Sequence, residues 1–160
     1  MKRMIAAAAI LIAASSAKAE EIYITGFGHI FSAGICSIGP GRCVSYLGIE
    51  GTVNDICSAK PKAPVKIVGH SMGASAAIRA ANSLHACGVK VEAVAFLDPQ
   101  THPRAFGIPK GVRTLTLYSP GFYGNGEGQP DAERYAGGHI MQAFDPAVHA
   151  RVRRLFDGRG

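Results

Sequence analysis

Apolar and polar positions alternate along the chain in short blocks, and the period of each block predicts its structure. "EIYIT" (Glu21 to Thr25) reads as a first strand and runs into the glycine-rich "GFGHIFSAG". "CVSYLGI" (Cys43 to Ile49) reads as a weaker strand, and "TVNDICSAK" as a short helix. Val65, Ile67 and Val68 then form a compact β-branched run, the mark of a short buried strand. Beyond it Ala74, Ala77, Ile78, Ala81 and Leu84 recur at three- and four-residue spacing, which is helical. "VKVEAVAFLDP" predicts a strongly buried strand ending at Asp98-Pro99. "GVRTLTLYSP" alternates more and predicts a strand nearer a sheet edge. A long glycine-rich loop, Gly121 to His139, precedes a last helix with Asp145 as N-cap, Pro146 at N1, and Val148, Val152, Leu155 and Phe156 as its apolar stripe.

Strands alternating with helical segments predict an α/β fold: one domain, a mainly parallel sheet with helices on both faces, and three layers. The least regular part is Ser32 to Gly41. A full crossover helix is expected there, yet "SAGICSIGPG" is short and broken by glycine.

The chain's start changes the domain picture. Lys2 and Arg3 form a charged n-region, Met4 to Ala14 an apolar stretch too short to span a bilayer, and Ala17-Lys18-Ala19 an A-x-A cleavage site. Residues 1–19 are thus expected to be a cleaved signal peptide, with residues 20–160 as an exported domain, periplasmic or extracellular, without a transmembrane anchor. The formal net charge of +6 includes Lys2, Arg3 and Lys18, so the exported part is near +3. Arg151, Arg153, Arg154 and Arg159 crowd the last ten residues and read as a solvated outer helix face. No nucleic-acid motif and no internal repeat is present.

Cys36, Cys43, Cys57 and Cys87 are an even set in an exported protein, so disulfides are expected rather than a zinc site. Cys36–Cys43 follows from proximity. Cys57–Cys87 requires the helices before and after the Val65 strand to lie on one face. At least one of these bridges is expected.

The candidate chemistry lies at Gly69-His70-Ser71-Met72-Gly73, a G-x-S-x-G where a strand turns directly into a helix. The glycines permit the sharp turn, Ser71 is presented above the sheet edge, and the Met72 N–H lies at a helix N-terminus where it can stabilise an oxyanion. The competing reading is a Rossmann-like packing turn, but the phosphate-binding G-x-G-x-x-G is absent. A serine nucleophile needs a base and an orienting carboxylate, in the chain order Ser, acid, His. Asp98 ends the next strong strand, though it also suits a turn cap before Pro99. Among six histidines, His139 follows Gly137-Gly138, after the last strand and before the last helix, and is the expected base; His149, within that helix, is the alternative. His70 is expected to point away from the nucleophile. His102 lies too close to Asp98 in sequence, and His29 precedes the serine. Phe27 or Gly28 N–H, after the first strand, is the expected second oxyanion donor. Phe122, Tyr123 and Tyr135 either line an acyl pocket or pin the long loop.

The run "GFGHIFSAG … VKIVGHSMGASAAIRAANSL … VEAVAFLDP … GVRTLTLYSP … GGHIMQAFDPAVHARV" resembles the α/β-hydrolase superfamily, and is most similar to its small, lidless lipase- and thioesterase-like members. The resemblance spans most of the chain after the leader. It implies Ser71 as nucleophile, Asp98 as acid and His139 as base, acting on a small-molecule carboxylic ester or thioester, with no cofactor or metal. The chain is short for that superfamily, with no room for a cap domain. Two other readings stand beside this one: a secreted binding protein that keeps the fold without efficient catalysis, and a nucleotide-binding Rossmann domain.

Overall fold

A computed structural model describes residues 19–100, 107–121 and 132–159. Six parallel strands form one sheet in the order β2-β1-β3-β4-β5-β6. They are β1 (Glu20–Thr25), β2 (Arg42–Ser45), β3 (Val65–His70), β4 (Val91–Leu97), β5 (Arg113–Tyr118) and β6 (Ala132–Arg134). The helices are α1 (His29–Ser32), α2 (Ile49–Ala59), α3 (Met72–Ala86), α4 (His139–Gln142) and α5 (Pro146–Phe156).

Strand alternation sorts the core into two layers. Ile22 and Ile24 of β1, Ile67 of β3 and Phe96 of β4 face α2 and α3. Tyr23, Val68, Ala95 and Leu117 face the opposite way, against Ile35, Ile38 and the α5 stripe of Val148, Val152, Leu155 and Phe156. The sheet is covered on both sides, which is why its central strands β1, β3 and β4 are buried nearly throughout. The three-layer expectation is met.

Three elements differ from the sequence reading. The segment Cys43 to Ile49 divides: β2 ends at Ser45, and Ile49 opens α2, where it buries with Val53 and Ile56 on one helical face. β6, inside the expected glycine-rich loop, pairs with β5 and makes it the fifth of six strands. The first crossover carries no full helix; it is α1 followed by a 3-10 turn over Ala33–Ser37. That turn lies on the α5 side of the sheet. Gly34 fits there because a Cβ would fall 2.2 Å from the Ala143 carbonyl oxygen.

Both disulfides form, Cys36–Cys43 and Cys57–Cys87, with Cα separations of 5.5 and 5.8 Å. The second is possible because α2 and α3 share a face. The C-terminal arginines are not uniformly a solvated face. Arg153 is half-buried and hydrogen-bonds Glu21 and Tyr23, and Arg151 pairs with Glu133. The difference has a simple cause: Glu21, the second residue of β1, lies within hydrogen-bond reach of Arg153 on α5. The expected leader, save Ala19, lies outside the described residues. Among those residues no helix is long and apolar enough to cross a membrane.

Candidate active site

β3 passes into α3 at Ser71 without a loop. A Cβ on Gly69 would fall 2.2 Å from the Gly73 carbonyl oxygen, and one on Gly73 only 2.0 Å from that of Ile24. Both positions therefore require glycine, as the motif implied. Ser71 itself adopts φ 59°, ψ −125°, which a residue with a Cβ rarely holds. The surrounding hydrogen bonds enforce it: its N–H donates to the Leu97 carbonyl (2.8 Å), and its carbonyl accepts from Ala74 N–H (2.9 Å).

Asp98 follows β4 directly and is fully buried, also at positive φ (49°). Its two carboxylate oxygens have separate partners. The Ser119 N–H lies 3.2 Å from Oδ1, and the His139 Nδ1 lies 2.6 Å from Oδ2. The carboxylate thus fixes the His139 ring and selects the tautomer with a proton on Nδ1. His139 is not part of an open loop. It is the first residue of α4, after Gly138 at φ 83°.

The remaining histidines separate by position. His149 Nε2–H donates to the Ala143 carbonyl at 2.8 Å, within the closing helices. His29 Nδ1 is 2.8 Å from Thr25 Oγ1. His85 is exposed on α3, and His102 lies outside the described residues. His70 is 1% exposed, and its ring centroid is 4.6 Å from that of His139. The side chain expected to point away from the nucleophile packs against the candidate base. Burial depresses its pKa to about 4, against the opposing pull of the His139 carbonyl, so the imidazole is neutral near pH 7.

Two backbone groups flank the serine. Met72 opens α3, so its N–H has no acceptor within the helix. The strand-end Gly26 packs onto the turn: a Cβ there would lie 2.8 Å from Ser71 Cβ and 3.2 Å from Met72 N. The chain just after β1 thus passes closely over the turn at Ser71, which keeps Phe27 N–H as an expected second donor. Gly28, at φ 63°, instead starts α1, its carbonyl accepting from Phe31 N–H.

Sequence reasoning missed Ser119 and Gln142. Ser119 follows β5 directly and supports Asp98, and Gln142 Nε2–H donates to Ser119 Oγ at 2.8 Å. The position of Ser119 one residue past a parallel strand was the available signal. Tyr135 donates to Asp145 Oδ2 at 2.7 Å and so pins the α5 cap; Phe122 and Tyr123 lie outside the described residues. Among the described residues no cluster of His, Cys, Asp or Glu is arranged to hold a metal ion.

No protein-family profile matches this chain, and neither does any curated protein sequence. Solved structures do match it. A candidate hydrolase of the α/β superfamily from Xanthomonas campestris pv. campestris aligns with a TM-score of 0.61 at 12% identity, covering 88% of this chain and 99% of that one. The NocB thioesterase domain, in covalent complex with a fluorophosphonate nocardicin G analog, aligns at 0.57 and 16% identity, over 88% and 96%. The SrfTE thioesterase domain, described for cyclization of the lipopeptide antibiotic surfactin, aligns at 0.52 and 15% identity, over 87% and 90%. The sheet order, the strand-to-helix turn at Ser71 and these alignments agree that the chain has an α/β-hydrolase-like fold.

Proposed function

We propose that this protein is an exported serine hydrolase that cleaves a carboxylic ester or thioester through Ser71, His139 and Asp98. The observation that carries this reading is the 2.6 Å bond from His139 Nδ1 to a fully buried Asp98, beside a serine held at positive φ on a strand-to-helix turn. The Asp98–His139 pair leaves His139 Nε2 as the basic nitrogen. It takes the Ser71 proton as Oγ attacks the acyl carbonyl, and returns it to the leaving group. The N–H groups of Met72 and Phe27 receive the negative charge that develops on the carbonyl oxygen. Water, activated by the same imidazole, then releases the acyl group from Ser71.

The surroundings support an apolar acyl group. Among the described residues, the large hydrophobic side chains left exposed are Phe27, Ile30 and Phe31 after β1, Leu47 after β2, and Ile140, Met141 and Phe144 after His139. All follow strand ends or His139, on the serine's side of the sheet. Apolar side chains exposed at this end of the sheet support a surface for an apolar ligand. Export is supported by the A-x-A leader and by two disulfides, which persist in oxidising compartments.

The test is a fluorophosphonate probe on the purified protein, beside a chain-length series of p-nitrophenyl esters. A covalent adduct on Ser71, absent in Ser71→Ala, and turnover that rises with acyl length are expected. A folded protein that neither labels nor hydrolyses any ester of the series would instead be a binding protein built on this fold.

A further inference from the structure

A buried imidazole must satisfy both ring nitrogens. At His70 each has one partner, and the two partners come from opposite sides of the site. Nε2 lies 2.8 Å from the His139 backbone oxygen. A carbonyl only accepts, so Nε2 carries the proton. Nδ1 is then a lone pair, and Ser32 Oγ–H, 2.8 Å away and 1% exposed, donates to it. With the pKa near 4 the ring stays neutral, and this tautomer is the one the contacts allow.

The geometry points to His70 as a positioning residue that holds the His139 backbone in place, so that the His139 ring is set for Ser71; this rests on the function proposed above. His139 needs such a hold. It opens a four-residue helix, follows two glycines, and its helix has no side-chain N-cap. Asp98 fixes one edge of the His139 ring, and the direction of that ring also depends on where the His139 backbone is held. The His70 N–H to the His139 carbonyl, and the tilted ring contact at 4.6 Å, add two more constraints on the same residue. Ser32 in turn sets the rotation of His70. Because Ser32 ends α1, the link also joins the Phe27 side of the site to the base side. No proton passes to substrate along it, since the terminal acceptor is a carbonyl.

Replacing His70 by Gln keeps an N–H near the Nε2 position. Asn keeps a polar group only near Nδ1, and Leu keeps neither. Turnover is read per fluorophosphonate-titrated site, which removes any loss of folded protein. His70→Leu is expected to lower kcat roughly 10- to 100-fold, the scale for sub-ångström to ångström misplacement, with KM changed less than about threefold. His70→Gln should restore most of it, and His70→Asn should not. A second readout needs no catalysis: the low-field NMR proton of the short His139–Asp98 hydrogen bond. It should persist in the wild type and in His70→Gln, and broaden or vanish in His70→Leu. If the wild type shows no hydrolysis, the proposed function falls while the NMR comparison still decides the positioning role. An unchanged low-field proton in folded His70→Leu, or equal kcat in the Gln and Leu variants, overturns it. Should His70→Leu not fold, the Gln and Asn pair carries both readouts, and equal values in that pair overturn the assignment.

Discussion

The two ends of the sheet are built from opposite materials. At the C-terminal ends of the strands, no Asp, Glu, Lys or Arg occurs between Glu21 and Arg42, nor from Tyr135 to Phe144. That end holds the strained Ser71 and Asp98, and the exposed apolar side chains. At the N-terminal ends, charges interlock. Arg153 binds Glu21 through two nitrogens, at 3.1 and 2.8 Å. Arg113 bridges Glu92 (2.8 Å) and the Leu155 carbonyl (2.7 Å), and Arg42 pairs with Glu20 (2.6 Å). One end ties α5 to the sheet, and the other is left apolar and strained. The charge ties and the proposed site thus lie apart by the length of a strand, roughly 15–20 Å. Variants at one end should leave the other largely unaffected.

The largest expected effect is at the C-terminal end. Ser71→Ala and His139→Ala should each lower ester turnover by roughly three or more orders of magnitude, the scale for losing a member of such a triad. The urea midpoint of Ser71→Ala should stay close to wild type, because Ala fits the turn, whereas His139→Ala leaves the fully buried Asp98 without its partner and should lose about 1–3 kcal/mol while still folding. A near-wild-type rate in folded His139→Ala would remove the chemistry assigned to that end.

Titration probes both ends in one experiment. Unfolded His70 binds a proton below about 6.5, whereas in the fold it does so only near pH 4. Between those values the unfolded chain holds more protons, so stability rises with pH across that window and falls as pH drops through it. The full span is worth up to roughly 3 kcal/mol, and urea midpoints at pH 7 and pH 4 should show it in the wild type and not in His70→Gln. Burial disfavours the charged Glu21, but the bonds from Arg153 and Tyr23 outweigh it and hold its carboxyl below the usual range. That contribution is present above the ordinary carboxylate pKa and is lost as pH falls through the depressed value. The wild type should therefore weaken in two stages on acidification, His70 first.

Arg153→Ala breaks the N-terminal end alone. It leaves the buried Glu21 carboxylate without its cation, and also removes the guanidinium stacked 5.1 Å from the Phe156 ring centre. Because Arg153 is partly exposed, a loss of about 1–3 kcal/mol in urea unfolding is expected, at the low end of values for breaking buried pairs. kcat per titrated site should not change. A large drop in kcat would show that the two ends are coupled through α5.

The separation of the two ends also explains what the sequence made legible. Ser71, Asp98 and His139 stood out because each sits at a marked place: a glycine-flanked turn, the end of an apolar run, a position after two glycines. The two-layer core was equally visible, because a buried strand writes its faces as an alternation. β6 was not, since Ala132-Glu133-Arg134 is short, polar and set in a glycine-rich stretch. Nor was the tie between Arg153 and Glu21, which lie 132 residues apart and carry ordinary surface side chains. The contacts of His70 were hidden for the same reason. Its partners, Ser32 and His139, are 38 and 69 residues away, and only the fold brings them together.

His149→Ala has the smallest expected effect, and it tests where the C-terminal end stops. His149 lies ten residues after His139 and satisfies the same chain order, so sequence alone left it as a second candidate base. In the fold it is half-buried on α5, and its Nε2–H is spent on the Ala143 carbonyl at 2.8 Å. That carbonyl borders Gly34 of the first crossover, so the bond braces the packing behind His139 rather than the reacting groups. Losing one such bond and a little packing should cost about 0.5–1.5 kcal/mol of stability. Turnover per titrated site should change by less than about tenfold. Activity and urea unfolding of His139→Ala and His149→Ala, measured on one activated ester, give the ranking. If His149→Ala lost more turnover than His139→Ala, the base would belong to α5, and the 2.6 Å bond to Asp98 would be structural.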